Sequence, residues 1–129
     1  MKEKNRRYSR DHQWAERTST GVRVGLTDFA QDELGEITFV QLPKIGMRVN
    51  VGDPVCAVDA LKAASELYAP VSGTVIATND QLRDDLASCR LINDDAEGAG
   101  WIFELAITKD DEFNQLLDTD DYHALITGT

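Results

Sequence analysis

Cysteine, histidine and long apolar runs are scarce in this 129-residue chain, and each shortage closes off a class of function. The two cysteines, Cys56 and Cys89, stand far apart with no Cys-x-x-Cys spacing, which argues against a disulfide framework or a thiolate metal site. Both are expected as reduced thiols, with Cys56 buried between Val55 and Ala57. His12 and His123 have no ligand partners at metal spacing, so no metal site is expected. No stretch approaches the roughly 18 to 20 consecutive apolar residues of a membrane helix. Positive charge is short as well: 13 Lys and Arg against 23 Asp and Glu leave a net charge of −10. That balance disfavours nucleic acid and anionic membranes, which are both gripped by Lys and Arg. The opening Met1-Lys2-Glu3-Lys4-Asn5-Arg6-Arg7-Tyr8 has basic residues with no apolar run behind them. Neither a secretory signal nor a transit peptide is expected there, and a cytoplasmic location follows.

Signatures of an independent active site are missing too. There is no Gly-x-Ser-x-Gly elbow, no phosphate loop and no Cys–His pair with local support. Gly98-Ala99-Gly100 lacks the third glycine and the strand-to-helix context of a dinucleotide fingerprint, and reads as a tight turn before Trp101. Asp84-Asp85, Asp94-Asp95 and Asp110-Asp111-Glu112 lack the alternating oxygen ligands and central glycine of a calcium loop. They read as helix caps and turns.

What remains is a chain of short strands. Length argues for a single domain, residues 1–129 with its core in 8–126. Val22, Val24 and Leu26 alternate on one face of a strand. Thr27-Asp28 then caps a short helix carrying Phe29, Ala30, Glu33 and Leu34, which stops at Gly35. Ile37 to Leu42 is β-branched and aromatic and is closed by Pro43; Met47 to Val51, Val55 to Val58, Glu66 to Ala69, Thr74 to Thr78 and Trp101 to Ile107 follow as strands. The tail changes period, with Phe113, Leu116 and Leu117, then Tyr122, Leu125 and Ile126, at helical spacing behind acidic first turns. Many short strands with glycine and proline turns and no βαβ rhythm predict a mainly β sandwich or barrel with peripheral helices. Trp14 and Tyr68 are expected in the core rather than at a ligand.

The most informative run is Val58-Asp59-Ala60-Leu61-Lys62-Ala63-Ala64-Ser65-Glu66-Leu67-Tyr68-Ala69-Pro70-Val71-Ser72-Gly73-Thr74-Val75. It places Lys62 between two β-rich stretches, at an exposed hairpin tip that several enzymes could reach. With Arg7-Tyr8 and His12-Gln13-Trp14, Val24 to Gln31, Leu34 to Ile37, Phe39 to Pro43 and Gly100-Trp101, it resembles the glycine cleavage system H protein family from about Tyr8 to Ile126. Each segment alone is weak; their order and spacing together are strong.

That resemblance implies a barrel-sandwich hybrid of the lipoyl-domain type with a short helix in the N-terminal half and C-terminal helices. It implies a non-enzymatic carrier with lipoate joined through an amide to Lys62. Its partners would be a pyridoxal-phosphate glycine decarboxylase, a tetrahydrofolate-dependent aminomethyltransferase, dihydrolipoyl dehydrogenase and a lipoylating enzyme. The arm would shuttle the aminomethyl group of glycine between the first two and pass its dithiol to the third. The alternatives are a role in lipoyl relay to other proteins or in redox protection. The resemblance also makes Asp59 and Ala63 candidates for recognition by the lipoylating enzyme. Asp11, Gln13 and Glu66 would line the cleft that shelters the loaded arm, with Gln13 standing where the family has glutamate. A monomer that docks transiently is expected.

Overall fold

The computed structural model describes residues 5–82 and 86–128. Alternation does its expected work in β3 (Val22–Leu26), where Val22, Val24 and Leu26 are buried while Arg23 faces out. β3 pairs antiparallel with β2 (Gln13–Arg17), which pairs with the short β1 (Arg6–Tyr8). Thr27 then caps α1 (Asp28–Leu34) by accepting from the Ala30 N–H at 3.2 Å, so Thr27 rather than Asp28 makes the cap bond. Gly35 ends the helix by returning its N–H to the Gln31 carbonyl at 2.9 Å.

β4 (Ile37–Gln41), β6 (Pro54–Ala60) and β7 (Ala64–Tyr68) form a three-stranded sheet in the order β4-β6-β7. The larger sheet has six strands in the order β1-β2-β3-β9-β8-β5, completed by β5 (Arg48–Val49), β8 (Gly73–Thr78) and β9 (Phe103–Ile107). Every strand pair is antiparallel. The inner faces share one core that includes Val24, Ile37, Val58, Leu67, Val75, Phe103 and Leu105. This is the mainly β, two-sheet architecture expected from the sequence. The Met47 to Val51 strand shrinks to two residues, because Val51 and Gly52 turn the chain toward β6 and Val51 is left half exposed.

α2 (Leu86–Asp95) packs on β4 and α1, and the sequence reading assigned it no helix. Asp94 and Asp95 close it, the reverse of the placement a helix dipole favours, so its charge pattern hides it. The Asp95 carbonyl accepts from the N–H groups of Gly98 and Gly100, which builds the tight turn expected before Trp101. Asp84-Asp85 lie outside the described residues. Asp110, Asp111 and Glu112 form the acidic first turn of α3 (Asp110–Asn114). In α4 (Thr119–Thr127), Asp118 caps the start by accepting from the Asp121 N–H at 2.8 Å. A second small core forms where the tail returns: Tyr8 and Tyr122 stack with ring centroids 4.6 Å apart beside Trp14. Trp14 is 2% exposed and donates its indole N–H to the Ala96 carbonyl, as expected of a core aromatic, whereas Tyr68 is half-buried.

Candidate functional site: the lysine hairpin

β6 and β7 are joined by residues 61–63, with Asp59 opposite Ala64 at the top of the ladder. The Ala60 N–H closes the turn on the Ala63 carbonyl at 2.8 Å. Leu61, Lys62 and Ala63 are all exposed, so Lys62 stands at the tip the sequence predicted. Among the described residues no carboxylate lies within ion-pair distance of its ammonium. The amine of Lys62 is therefore open to an acylating enzyme, and a neutral amide there would leave no buried carboxylate unpaired.

The tip does not stand free. The Leu61 N–H donates to the Glu36 carbonyl at 3.0 Å, which ties the turn to the corner between α1 and β4. The Lys62 stem lies across Gly35: a Cβ at that position would meet Lys62 Cε at 3.3 Å. Gly35 has φ 80° and ψ −153°, a backbone conformation open essentially to glycine alone. Asn93, reaching from α2, holds this corner on both sides. Its Oδ1 accepts from the Ile37 N–H at 2.9 Å, and its Nδ2 donates to the Gly35 carbonyl at 2.9 Å and to Gln31 Oε1 at 2.8 Å. The same corner borders a groove of about 550 Å³ lined by Gln31, Asp32, Glu36 and Arg90 among others.

The remaining candidates take separate places. Asp59 is exposed on the outer face of β6, between Phe39 of β4 and Ala64 of β7. Glu66 is exposed on the same face, in a row with Ala57 and Gln41. Asp11 is an exposed turn residue whose N–H donates to Ser9 Oγ at 3.3 Å. Gln13 departs from its expected role in the cleft. It is 1% exposed; its Nε2 donates to the Tyr68 carbonyl at 2.7 Å while Oε1 accepts from the Tyr68 N–H at 2.8 Å. Its amide is thus spent inside the fold, where it fastens the free edge of β7 to the six-stranded sheet. The structure does not gather Asp11, Gln13 and Glu66 into one exposed cluster.

The segment before Gln13 is held as tightly. His12 has φ 64°, uncommon for a residue with a side chain, and its N–H and carbonyl are taken by the Ser9 carbonyl and the Thr27 N–H. His12 Nδ1 lies 3.0 Å from the Tyr122 hydroxyl, which lies 2.7 Å from Thr27 Oγ1. The three groups form one chain whose direction follows the His12 tautomer: with Nδ1 bare, Thr27 donates to Tyr122 and Tyr122 to His12, and with Nδ1 protonated both bonds reverse. Burial pushes the Cys56 thiol up to about 12, so it stays protonated and is a poor sulfur nucleophile. Among the described residues no group of three or more His, Cys, Asp or Glu is placed to hold a metal ion.

The two-sheet β fold agrees with what comparison with known proteins finds. The family model for the glycine cleavage H-protein matches residues 6–128. The chain belongs to the glycine cleavage H-protein family. It is 48% identical over 122 residues to a protein of Natronomonas pharaonis named "Probable glycine cleavage system H protein", covering 95% of this chain and 94% of that one. It is 40% identical over 123 residues to the glycine cleavage system H protein of Carboxydothermus hydrogenoformans, covering 95% and 92%. The crystal structure of the H protein from Mycobacterium marinum superposes with a TM-score of 0.81 at 35% identity, over 97% of this chain and 98% of that one. Within this H-protein frame, sequence reasoning found the hairpin and missed its support. Gly35 was legible only as a helix stop, and Asn93 carried no signal, because its partners lie 56 to 62 residues away.

Proposed function

We propose that this chain is a lipoyl carrier of glycine cleavage, acylated at Lys62 and serving glycine decarboxylase, aminomethyltransferase and dihydrolipoyl dehydrogenase in turn. The observation that carries this reading is the exposed Lys62 amine, unpaired among the described residues, at the tip of a hairpin braced from below. The deprotonated amine attacks the acyl carbon of an activated lipoyl donor, an adenylate or a carrier thioester. The new C–N bond replaces the bond to the leaving group, and the nitrogen gives up its second proton. Asp59 and Ala63, exposed on either side of Lys62, are the residues a lipoylating enzyme would read.

When attached, lipoate supplies a dithiolane that can be reduced, loaded with the aminomethyl group of glycine and reoxidised by the partner enzymes. The chain supplies reach and restraint. Tethering replaces diffusion of a labile group with a local effective concentration at each client. Asp11 and Glu66 are the exposed carboxylates available to a cationic load, while Gln13 acts from within by holding β7 beneath Glu66. The protein works as one domain and as a monomer in the cytoplasm; among the described residues no helix is long and apolar enough to cross a membrane.

The test is to incubate the chain with a lipoate–protein ligase, lipoate and ATP, and to measure the mass of the peptide that contains position 62. Acylation is expected at Lys62 alone, and the product is expected to support glycine–bicarbonate exchange with glycine decarboxylase. Lys62→Arg is expected to abolish both; a Lys62→Arg protein that still supports exchange would overturn the reading.

A further inference from the structure

We propose that Asn93 is a positioning residue for acylation of Lys62, acting from α2 through the corner on which the lysine hairpin rests. This deepens the carrier reading and rests on it. Three bonds from one side-chain amide converge on that corner. Asn93 Oδ1 takes the Ile37 N–H, and Nδ2 gives one proton to the Gly35 carbonyl and the other to Gln31 Oε1. With both donors engaged and the acceptor in use, the amide can flip or leave only by breaking bonds to three separate residues.

The residue between the two bonded backbone groups is Glu36. Its carbonyl is the acceptor for the Leu61 N–H and lies in the same peptide group as the Ile37 N–H, so Asn93 holds the very peptide group to which the hairpin tip is tied, and the one before it. Gly35, whose carbonyl Asn93 holds, also carries the Lys62 stem. Both supports of the tip, the Leu61 hydrogen bond and the Gly35 platform, are thus held by one amide reaching across from α2. Without Asn93 the corner and the tip would sample other arrangements. An acylating enzyme that recognises a single arrangement would then bind the carrier more weakly in proportion to the fraction lost.

The expected signature is specific. Asn93→Ala raises the KM of a lipoate–protein ligase for the carrier about tenfold, with kcat within about twofold, because the bound hairpin is the same once captured. Amide exchange at Leu61 speeds up about tenfold, while exchange at Val58 in the middle of β6 is unchanged. Ile92→Val thins the core beneath the same helix while keeping the Asn93 amide, and leaves both KM and Leu61 exchange near their original values. Should Asn93→Ala fail to fold, Asn93→Asp keeps the acceptor for Ile37 but loses both donors, and carries the same expectation. A folded Asn93 variant with either readout unmoved overturns the proposal, and so does Ile92→Val reproducing the pair of changes. If the original chain is not acylated at Lys62 at all, the carrier reading fails, and with it the role in acylation. Leu61 exchange, which needs no acyl group, would then still report whether Asn93 holds the tip, so the two failures are told apart.

Discussion

At Gly35 and Gln13 the identity of one residue is set by contacts that few others could make. Gly35 combines φ 80° with ψ −153° and lies directly beneath the Lys62 stem. Gly35→Ala would force a Cβ into that conformation and against Lys62 Cε, at a cost of about 1 to 3 kcal/mol. A lowered urea midpoint and slower acylation of Lys62 are the expected results. Gln13 shows why an amide is not interchangeable with a carboxylate. Its Nε2 proton satisfies the Tyr68 carbonyl, and an ionised Gln13→Glu side chain would present a second acceptor there. The loss is expected to be about 1 to 3 kcal/mol at neutral pH. Protonation restores a donor, so the folded state would bind that proton more readily than the unfolded one. The deficit should therefore shrink as pH falls toward about 5, which denaturant titrations at the two pH values would read.

At the level of elements, β9 and β3 are linked by a charged residue in an unusual position. Glu104 on β9 is 4% exposed and pairs with Arg23 of β3 at 3.2 Å. Burial alone would raise its carboxyl, but hydrogen bonds from the hydroxyls of Thr20 and Thr18 and from Arg23, with the Arg23 charge, more than offset this and hold it below its ordinary value. A carboxyl depressed by folding contributes its full stability above the unfolded value of about 4.3 and loses it as acid protonates the folded form. The stability gap between the original chain and Glu104→Gln should thus be constant at neutral pH and narrow below about pH 4.3, measured by thermal unfolding. Legibility divides along the same line. Elements whose signal is local, such as alternating β3, capped α1 and the helix starts behind acidic turns, were visible in the sequence, although α3 stops at Asn114, short of Leu116 and Leu117. β1, too short to alternate, and α2, whose acids sit at the wrong end for its dipole, were not. The lysine hairpin was legible because its turn and flanking strands are contiguous. The Gln13–Tyr68 and Asn93–Gly35 links were hidden because each spans more than fifty residues.

For the whole molecule, acidity is the property that any docking partner would meet first. The chain carries a net charge of −10, and the proposed acylation of Lys62 would remove one more positive charge from the hairpin tip. Such a surface favours fast, reversible encounters with basic patches on client enzymes. The KM for the lipoylated carrier in glycine–bicarbonate exchange should accordingly rise as ionic strength increases from about 0.05 to 0.15 M, with kcat little changed. The fastening of Tyr68 by Gln13 has a further consequence at this scale. β7 is the border of its sheet, and borders with unsatisfied backbone groups invite foreign strands. Sealing one end of that border with an internal amide, and flanking the rest with Glu66, shortens the open backbone and disfavours the addition of a foreign strand there. For a carrier of the proposed kind, which would touch several surfaces in turn, such an edge lowers the tendency to adhere to its own copies.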